Sequence, residues 1–204
     1  MTASLPHGLT DCLLWSDELG MGFHPRPPMD YNGSYFAKYQ QMDSTPMGAA
    51  LTRARVELVR RHFAGKVVDI GIGGGRFVID SGAMGFDVNP DAVAWLKAHE
   101  TYYDPYKGVA AITCWDSLEH IPDPEALIRS VGEWVFVSMP VYKDQADCLK
   151  SKHFKPGEHI HYWSVRGLIG WFAKMNFGCV EINERESDLG REGITSFAFR
   201  RFHG

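Results

Sequence analysis

The chain has 204 residues, 45% hydrophobic and 23% charged, a composition that suits one soluble domain with a sizeable core. A formal net charge of −4 excludes an overall basic field that would draw it onto nucleic acid, and leaves only a local patch for that purpose. The four cysteines, Cys12, Cys114, Cys148 and Cys179, form no CxxC pair, which argues against a zinc site or a disulfide scaffold and for a reducing, cytoplasmic setting. The first 30 residues lack the basic start and apolar core of a signal peptide, and no apolar run reaches the roughly 18 residues of a membrane helix.

Residues 1–46 read as an irregular N-terminal extension, with a proline-rich stretch at His24-Pro25-Arg26-Pro27-Pro28 and a turn signal at Asn32-Gly33. Tyr31, Tyr35 and Tyr39 share a face if this piece is helical, with Phe36 beside them. Such a helix either packs its aromatics on the following domain or serves as a lid or docking arm. From residue 47 to 204 the pattern is that of one domain. Met47 to His62 reads as an amphipathic helix: Leu51, Ala54, Leu58 and Val59 have helical spacing, while Arg53, Arg55, Arg60 and Arg61 fall on a face expected to be solvated.

Short apolar runs then alternate with helical segments. Strands are expected at 67–70, 83–87, 109–114 and 134–139, and helices at 75–81, 90–99 and 124–131. A helix from Ser164, a plausible N-cap, to Met175 precedes closing strands at 179–183 and 194–202. This order predicts an α/β fold, a Rossmann-like three-layer αβα sandwich with a mostly parallel sheet and an antiparallel C-terminal edge.

The chemistry concentrates where the first strand ends. Val68-Asp69-Ile70-Gly71-Ile72-Gly73-Gly74-Gly75-Arg76 turns a strand through glycines, which lets the backbone approach a ligand, and the helix start behind it presents N–H groups to a carboxylate. Dinucleotide-binding domains also have such a turn. Asp69, however, would repel a pyrophosphate and suits an ammonium group. Asp87, at the end of the next strand, offers two oxygens to a pair of ribose hydroxyls. A ligand with an ammonium, a carboxylate and a ribose but no phosphate meets these requirements.

These residues resemble the first motif of class I S-adenosylmethionine (SAM)-dependent methyltransferases, and Gly85-Phe86-Asp87-Val88-Asn89-Pro90 resembles the second. Thr113-Cys114-Trp115-Asp116-Ser117-Leu118-Glu119-His120-Ile121-Pro122-Asp123-Pro124 is similar to a segment of the branch that includes ubiquinone-biosynthesis-like O-methyltransferases. His159-Ile160-His161-Tyr162-Trp163-Ser164 resembles a late segment of that branch. The four motifs span residues 66–178, specify the superfamily and leave the substrate open.

The resemblance implies SAM as cofactor, with Asp69, Gly71, Gly73 and Gly75 around its methionine part, Asp87 on the ribose, Val88 beside adenine, and Trp115 and Asp116 lining the pocket. It also suggests Asp104 near the adenine amine. His120 and Asp116 are the candidate catalytic residues: His120 has the pKa of a general base for an acceptor hydroxyl. The other readings of this segment are a divalent cation held by Asp116, Glu119 and His120, as similarly placed acids do in some ubiquinone-type enzymes, and a structural brace. His159 and His161 suit either a core role or an acceptor pocket, and His153 and Lys155 mark a small basic loop.

The expected activity is methyl transfer to a small-molecule or glycan-like hydroxyl. A nucleic-acid or protein acceptor, an NAD-dependent oxidoreductase and a non-catalytic component of a larger assembly are the competing readings. Two departures from the family pattern stand out: a short stretch between the first two motifs, and Val131-Gly132-Glu133 where a Pro-Gly turn is usual.

Overall fold

The computed structural model describes residues 13–25 and 33–202. Tyr31, Cys12 and most of the proline-rich stretch lie outside the described residues. The first described segment is less irregular than its sequence implies. It contains β1 (Leu14–Ser16), β2 (Met21–Phe23) and α1 (Gly33–Asp43), followed by α2 (Pro46–His62). Thr45 caps α2 by accepting the Gly48 N–H at 3.1 Å, and Pro46 occupies the first turn, where no N–H is needed.

Then come β3 (Val68–Ile70), α3 (Arg76–Ser81), β4 (Met84–Phe86), α4 (Pro90–Ala98), β5 (Val109–Trp115), α5 (Pro124–Arg129) and β6 (Val131–Pro140). The chain closes with α6 (Gln145–Lys150), β7 (His161–Trp163), α7 (Val165–Ala173), β8 (Phe177–Asn183), α8 (Arg185–Asp188) and β9 (Ile194–Arg201). As expected, Ser164 caps α7, its Oγ accepting the Gly167 N–H at 3.0 Å.

Six strands form the main sheet in the order β4-β3-β5-β6-β9-β8. β4, β3, β5 and β6 run parallel, and β9 is antiparallel to both β6 and β8. This is the predicted mostly parallel sheet with an antiparallel C-terminal edge. Next to β4, among the described residues, one further parallel bridge forms, Gly85 to Tyr102. A three-stranded sheet, β1-β2-β7, is separate from it and ties residues 14–23 to His161–Trp163.

The pleat of β5 sends Ile112 and Cys114 to one face and Ala111 and Trp115 to the other. The first face packs with Leu127, Ile128, Leu168 and Phe172 from α5 and α7. The second packs with Val56, Leu58 and Val59 from α2 and Phe77 from α3. Helices on both faces give the sandwich and bury the parallel strands on both sides. Among the described residues, no helix is long and apolar enough to cross a membrane.

Candidate functional site

The C-terminal ends of β3, β4 and β5 form one edge of the sheet, the edge where open α/β folds bind ligands. Gly71, Gly73 and Gly75 all have positive φ (72°, 56° and 89°), a region that glycine enters without steric cost. The three differ in surroundings. A Cβ at Gly71 would lie 2.9 Å from Ser117 Cβ, and one at Gly75 would lie 2.6 Å from the Trp95 ring. At Gly73 the nearest atom is Tyr39 Cδ1 at 3.5 Å, an ordinary contact. Gly71 and Gly75 therefore serve packing as well as turning, whereas a Cβ at Gly73 would meet only an ordinary contact with Tyr39 of α1.

Asp69 is 1% exposed, and its Oδ1 accepts the Thr113 hydroxyl at 2.6 Å. Burial raises its carboxyl from 3.8 to about 7, against the opposing bond from Thr113. Asp87 accepts the Ile72 N–H at 2.9 Å and the Asn89 N–H at 2.8 Å, and burial raises it as well. Asp87 thus shapes the glycine turn it faces. Two N–H bonds leave acceptor capacity on its two oxygens. Val88, next along, is 71% exposed. The fold brings Asp69, Gly71, Gly73, Gly75, Asp87 and Val88 to a single rim.

At three positions the structure shows contacts that the sequence reading did not include. The start of α3 is not open to a ligand carboxylate, because Asp43 at the end of α1 occupies it: its Oδ2 accepts the Arg76 N–H at 3.3 Å while its carbonyl accepts from Arg76 Nη1 at 2.7 Å. Trp115, expected to line the pocket, turns into the core at 6% exposure, edge-on to Phe77 and under the Arg55 guanidinium at 5.4 Å. Asp104 caps a short 3-10 turn by accepting the Tyr106 N–H at 3.1 Å.

Asp116, with a φ of 52°, sits where β5 turns away, and a network of ion pairs surrounds it. Arg191 donates to both of its oxygens at 2.7 and 2.9 Å, and Arg55 to one at 3.2 Å. The same two arginines grip Glu186, from Arg55 at 2.7 and 2.9 Å and from Arg191 at 2.6 Å, and Ser138 donates to Glu186 at 2.6 Å. Burial raises both carboxyls, but the arginines outweigh it and hold both below the ordinary range. Arg55 is therefore no solvated face residue, as its helical spacing suggested. Asp116 faces arginines rather than Glu119 and His120.

Glu119 and His120 follow on a 3-10 turn. Glu119 is 1% exposed, and burial, aided by the Asp116 charge, raises its carboxyl to about 8. His120 Nδ1 lies 2.8 Å from the Glu158 carbonyl, which places the proton on Nδ1 and a lone pair on Nε2. The His159 ring stands edge-on to it with centroids 4.7 Å apart. Burial lowers both imidazoles, His159 to about 2, so both are neutral near pH 7. His161 is tied to the Ile121 carbonyl at 3.0 Å, and His153 to that of Glu192 at 2.8 Å.

Sequence reasoning missed Asp43, Arg191 and Glu186, most of whose partners are remote in the chain. Asp43 meets Arg76 33 residues away, and Glu186 meets Arg55 131 residues away. No local motif signals pairings of that kind.

Comparison with known proteins shows the family. A family model described as a methyltransferase domain matches residues 39–182. The chain is similar to the ubiquinone biosynthesis O-methyltransferase of Proteus mirabilis, at 28% identity over 132 residues covering 54% of this chain and 46% of that protein. It is similar to the enzyme of the same name from Chromobacterium violaceum, at 31% over 115 residues covering 41% and 49%. The chain thus spans about half the length of the curated relatives it matches. Among solved structures, it resembles magnesium protoporphyrin IX methyltransferase from Synechocystis with bound S-adenosylhomocysteine, with a TM-score of 0.56 and 15% identity, covering 84% of this chain and 96% of that one.

Proposed function

The chain belongs to the class I SAM-dependent methyltransferases, and on that premise we propose that it transfers a methyl group from SAM to a hydroxyl of a small-molecule or glycan-like acceptor. The observation that carries the reading is the rim itself. It holds one buried acid, one acid with spare acceptor capacity, a glycine turn that is uncrowded at Gly73, and an exposed apolar side chain at Val88. Ammonium, ribose, methionine chain and adenine match these four in chemistry. Asp69, Gly71, Gly73, Gly75, Asp87 and Val88 would hold the cofactor. Tyr39 of α1 would close over the turn.

When bound, SAM supplies an electrophilic methyl group, and the remaining work is alignment and exclusion of water. On the acceptor side His120 is the residue we assign to take a hydroxyl proton. Asp116 fixes the end of β5 through its arginines, and acts as a positioning residue. Ligand specificity is the direct test: S-adenosylhomocysteine is expected to raise the melting temperature, and NAD and NADP are expected to leave it unchanged. Stabilisation by NAD of equal size would reject the reading.

Asp69 adds a pH signature. Its folded pKa of about 7 lies above its ordinary 3.8, so between these values the unfolded chain has released the proton while the folded chain keeps it. The contribution of Asp69 to stability therefore falls as pH rises through that window. A ligand ammonium favours the ionised carboxylate. SAM affinity should then rise with pH by up to about tenfold per unit and level off above about 7. Calorimetric titration from pH 5 to 8 checks this, with Asp69→Asn expected to flatten the profile. A flat profile in the unmodified protein would remove Asp69 from the ligand.

A further inference from the structure

β3 and β5 are direct neighbours in the parallel sheet, and Asp69 and Thr113 stand opposite one another in their register. Alternation along β5 puts Thr113 on the same face as Ala111 and Trp115, the face covered by α2 and α3. That face is apolar, with Val56, Leu58, Val59 and Phe77 packed there. Valine would fit the position equally well in shape. A fully buried hydroxyl costs free energy unless it is bonded. The Thr113 hydroxyl has such a bond, donated to Asp69 Oδ1 at 2.6 Å.

We propose that Thr113 is a positioning residue of the cofactor site: its hydroxyl orients the Asp69 carboxyl and keeps it the anion that a ligand ammonium meets. The bond engages one oxygen, and Oδ2 takes no hydrogen bond among the described residues. A hydroxyl donates more strongly to a carboxylate than to the neutral acid, so the contact favours the charged form.

The other groups around Asp69 do not replace it. Asp69 is 1% exposed, and burial is the main influence against its charge. Asp87 at the end of β4 and Asp43 at the end of α1 add repulsion. Arg55 of α2 attracts, but it spends its hydrogen bonds on Glu186 and Asp116. The Cys114 thiol, next to Thr113 on β5, is kept neutral by burial and brings no charge. Thr113 is therefore the strongest of the influences that favour the anion. With the carboxyl already raised to about 7, loss of one bond carries its ionisation across neutral pH.

The effect of Thr113 on Asp69 is a property of the ligand-free chain. Its consequence for SAM rests on the methyl-transfer reading, and the two are measured separately. Thr113→Val keeps the shape of the side chain and removes the hydroxyl, and Thr113→Ser keeps the hydroxyl. The full chain without ligand is titrated from pH 5 to 8.5 while the Asp69 carboxyl is followed by carbon-13 NMR, its signal assigned by its loss in Asp69→Asn. Thr113→Val is expected to raise the midpoint by about one to two pH units, the scale of a hydrogen bond to a charged group, and Thr113→Ser to leave it within about half a unit. Thr113→Ala, a second variant without the hydroxyl, should shift the midpoint in the same direction.

S-adenosylhomocysteine, which carries the same ammonium, is then titrated calorimetrically over the same range. Its affinity for Thr113→Val should be about 5- to 50-fold lower at pH 7, and still rising at pH 8, where that of the unmodified chain has levelled off. A purely structural role would lower the affinity by the same factor at every pH and leave the profile in place. An unmoved Asp69 midpoint in folded Thr113→Val overturns the proposal, as does a raised midpoint with an unshifted affinity profile. Failure of S-adenosylhomocysteine to bind the unmodified chain rejects the methyl-transfer reading instead, and the NMR titration still decides whether Thr113 governs Asp69.

Discussion

Gly73→Val is expected to abolish SAM binding while the protein remains folded. Gly73 has a φ of 56°, which strains a β-branched residue by about 1–2 kcal/mol. That cost lowers the melting temperature by a few degrees, at about 2–4 °C per kcal/mol for a chain of this size. The new side chain meets little protein, because a Cβ there has only Tyr39 Cδ1 within 4 Å, at 3.5 Å. It does fill the space assigned to the methionine part of SAM. The expected loss is about 100-fold or more in affinity, near 3 kcal/mol.

Its neighbours would not give so clean an answer. A Cβ at Gly74 falls 2.5 Å from Asp43 Oδ2 and 2.7 Å from the Gln40 backbone, and one at Gly75 strikes Trp95. Substitution at either displaces α1 or α4, and so confounds binding with folding. Calorimetry of Gly73→Val beside its circular dichroism separates the two effects, with Gly73→Ala as the milder case. SAM affinity close to that of the unmodified protein would mean that the turn does not approach the ligand.

Glu186→Ala is expected to be the most destabilising single change in the charged network, by about 3–5 kcal/mol. Glu186 is 1% exposed and accepts from Arg55, Arg191 and Ser138. Its removal turns a balanced set of two cations and two anions into one with an excess positive charge in a buried setting. It also leaves Ser138 with Ser196 alone, at 2.7 Å. The melting temperature should fall by about 6–20 °C.

Glu186→Gln keeps the shape and the Ser138 contact but not the charge, and should fall between the two. Arg55 bridges α2 to both acids, and Asp116 ends the strand that leads to Glu119 and His120. Loss of Glu186 should therefore also loosen the acceptor side of the site. Thermal and urea unfolding of the three proteins measure the effect, and a loss under about 1 kcal/mol for Glu186→Ala would show that the network is solvated rather than buried.

The sequence by itself determined the parts of this protein whose physical cause is local. A parallel strand covered on both faces is a short apolar run bounded by turn residues, and Val135, Phe136 and Val137 are all fully buried as that pattern requires. Glycines followed by a helix, with one acid inside the strand and another at the next strand end, lie within a single βαβ unit. Their meeting at one rim follows from chain connectivity. Residues 14–23 were legible only as loop, because β1 and β2 are three residues each and exist through pairing with His161–Trp163.

Only the tertiary structure decided how the charged side chains are used. Arg55 shares its helical face pattern with solvated arginines, yet its partners Asp116 and Glu186 lie 61 and 131 residues away. Asp116, Glu119 and His120 lie within five residues of sequence, but a φ of 52° at Asp116 turns the first toward the arginines while the other two meet His159. Periodicity records which face of an element is apolar. It carries no record of which remote charge compensates a buried one, because that pairing is fixed by the packing of whole elements.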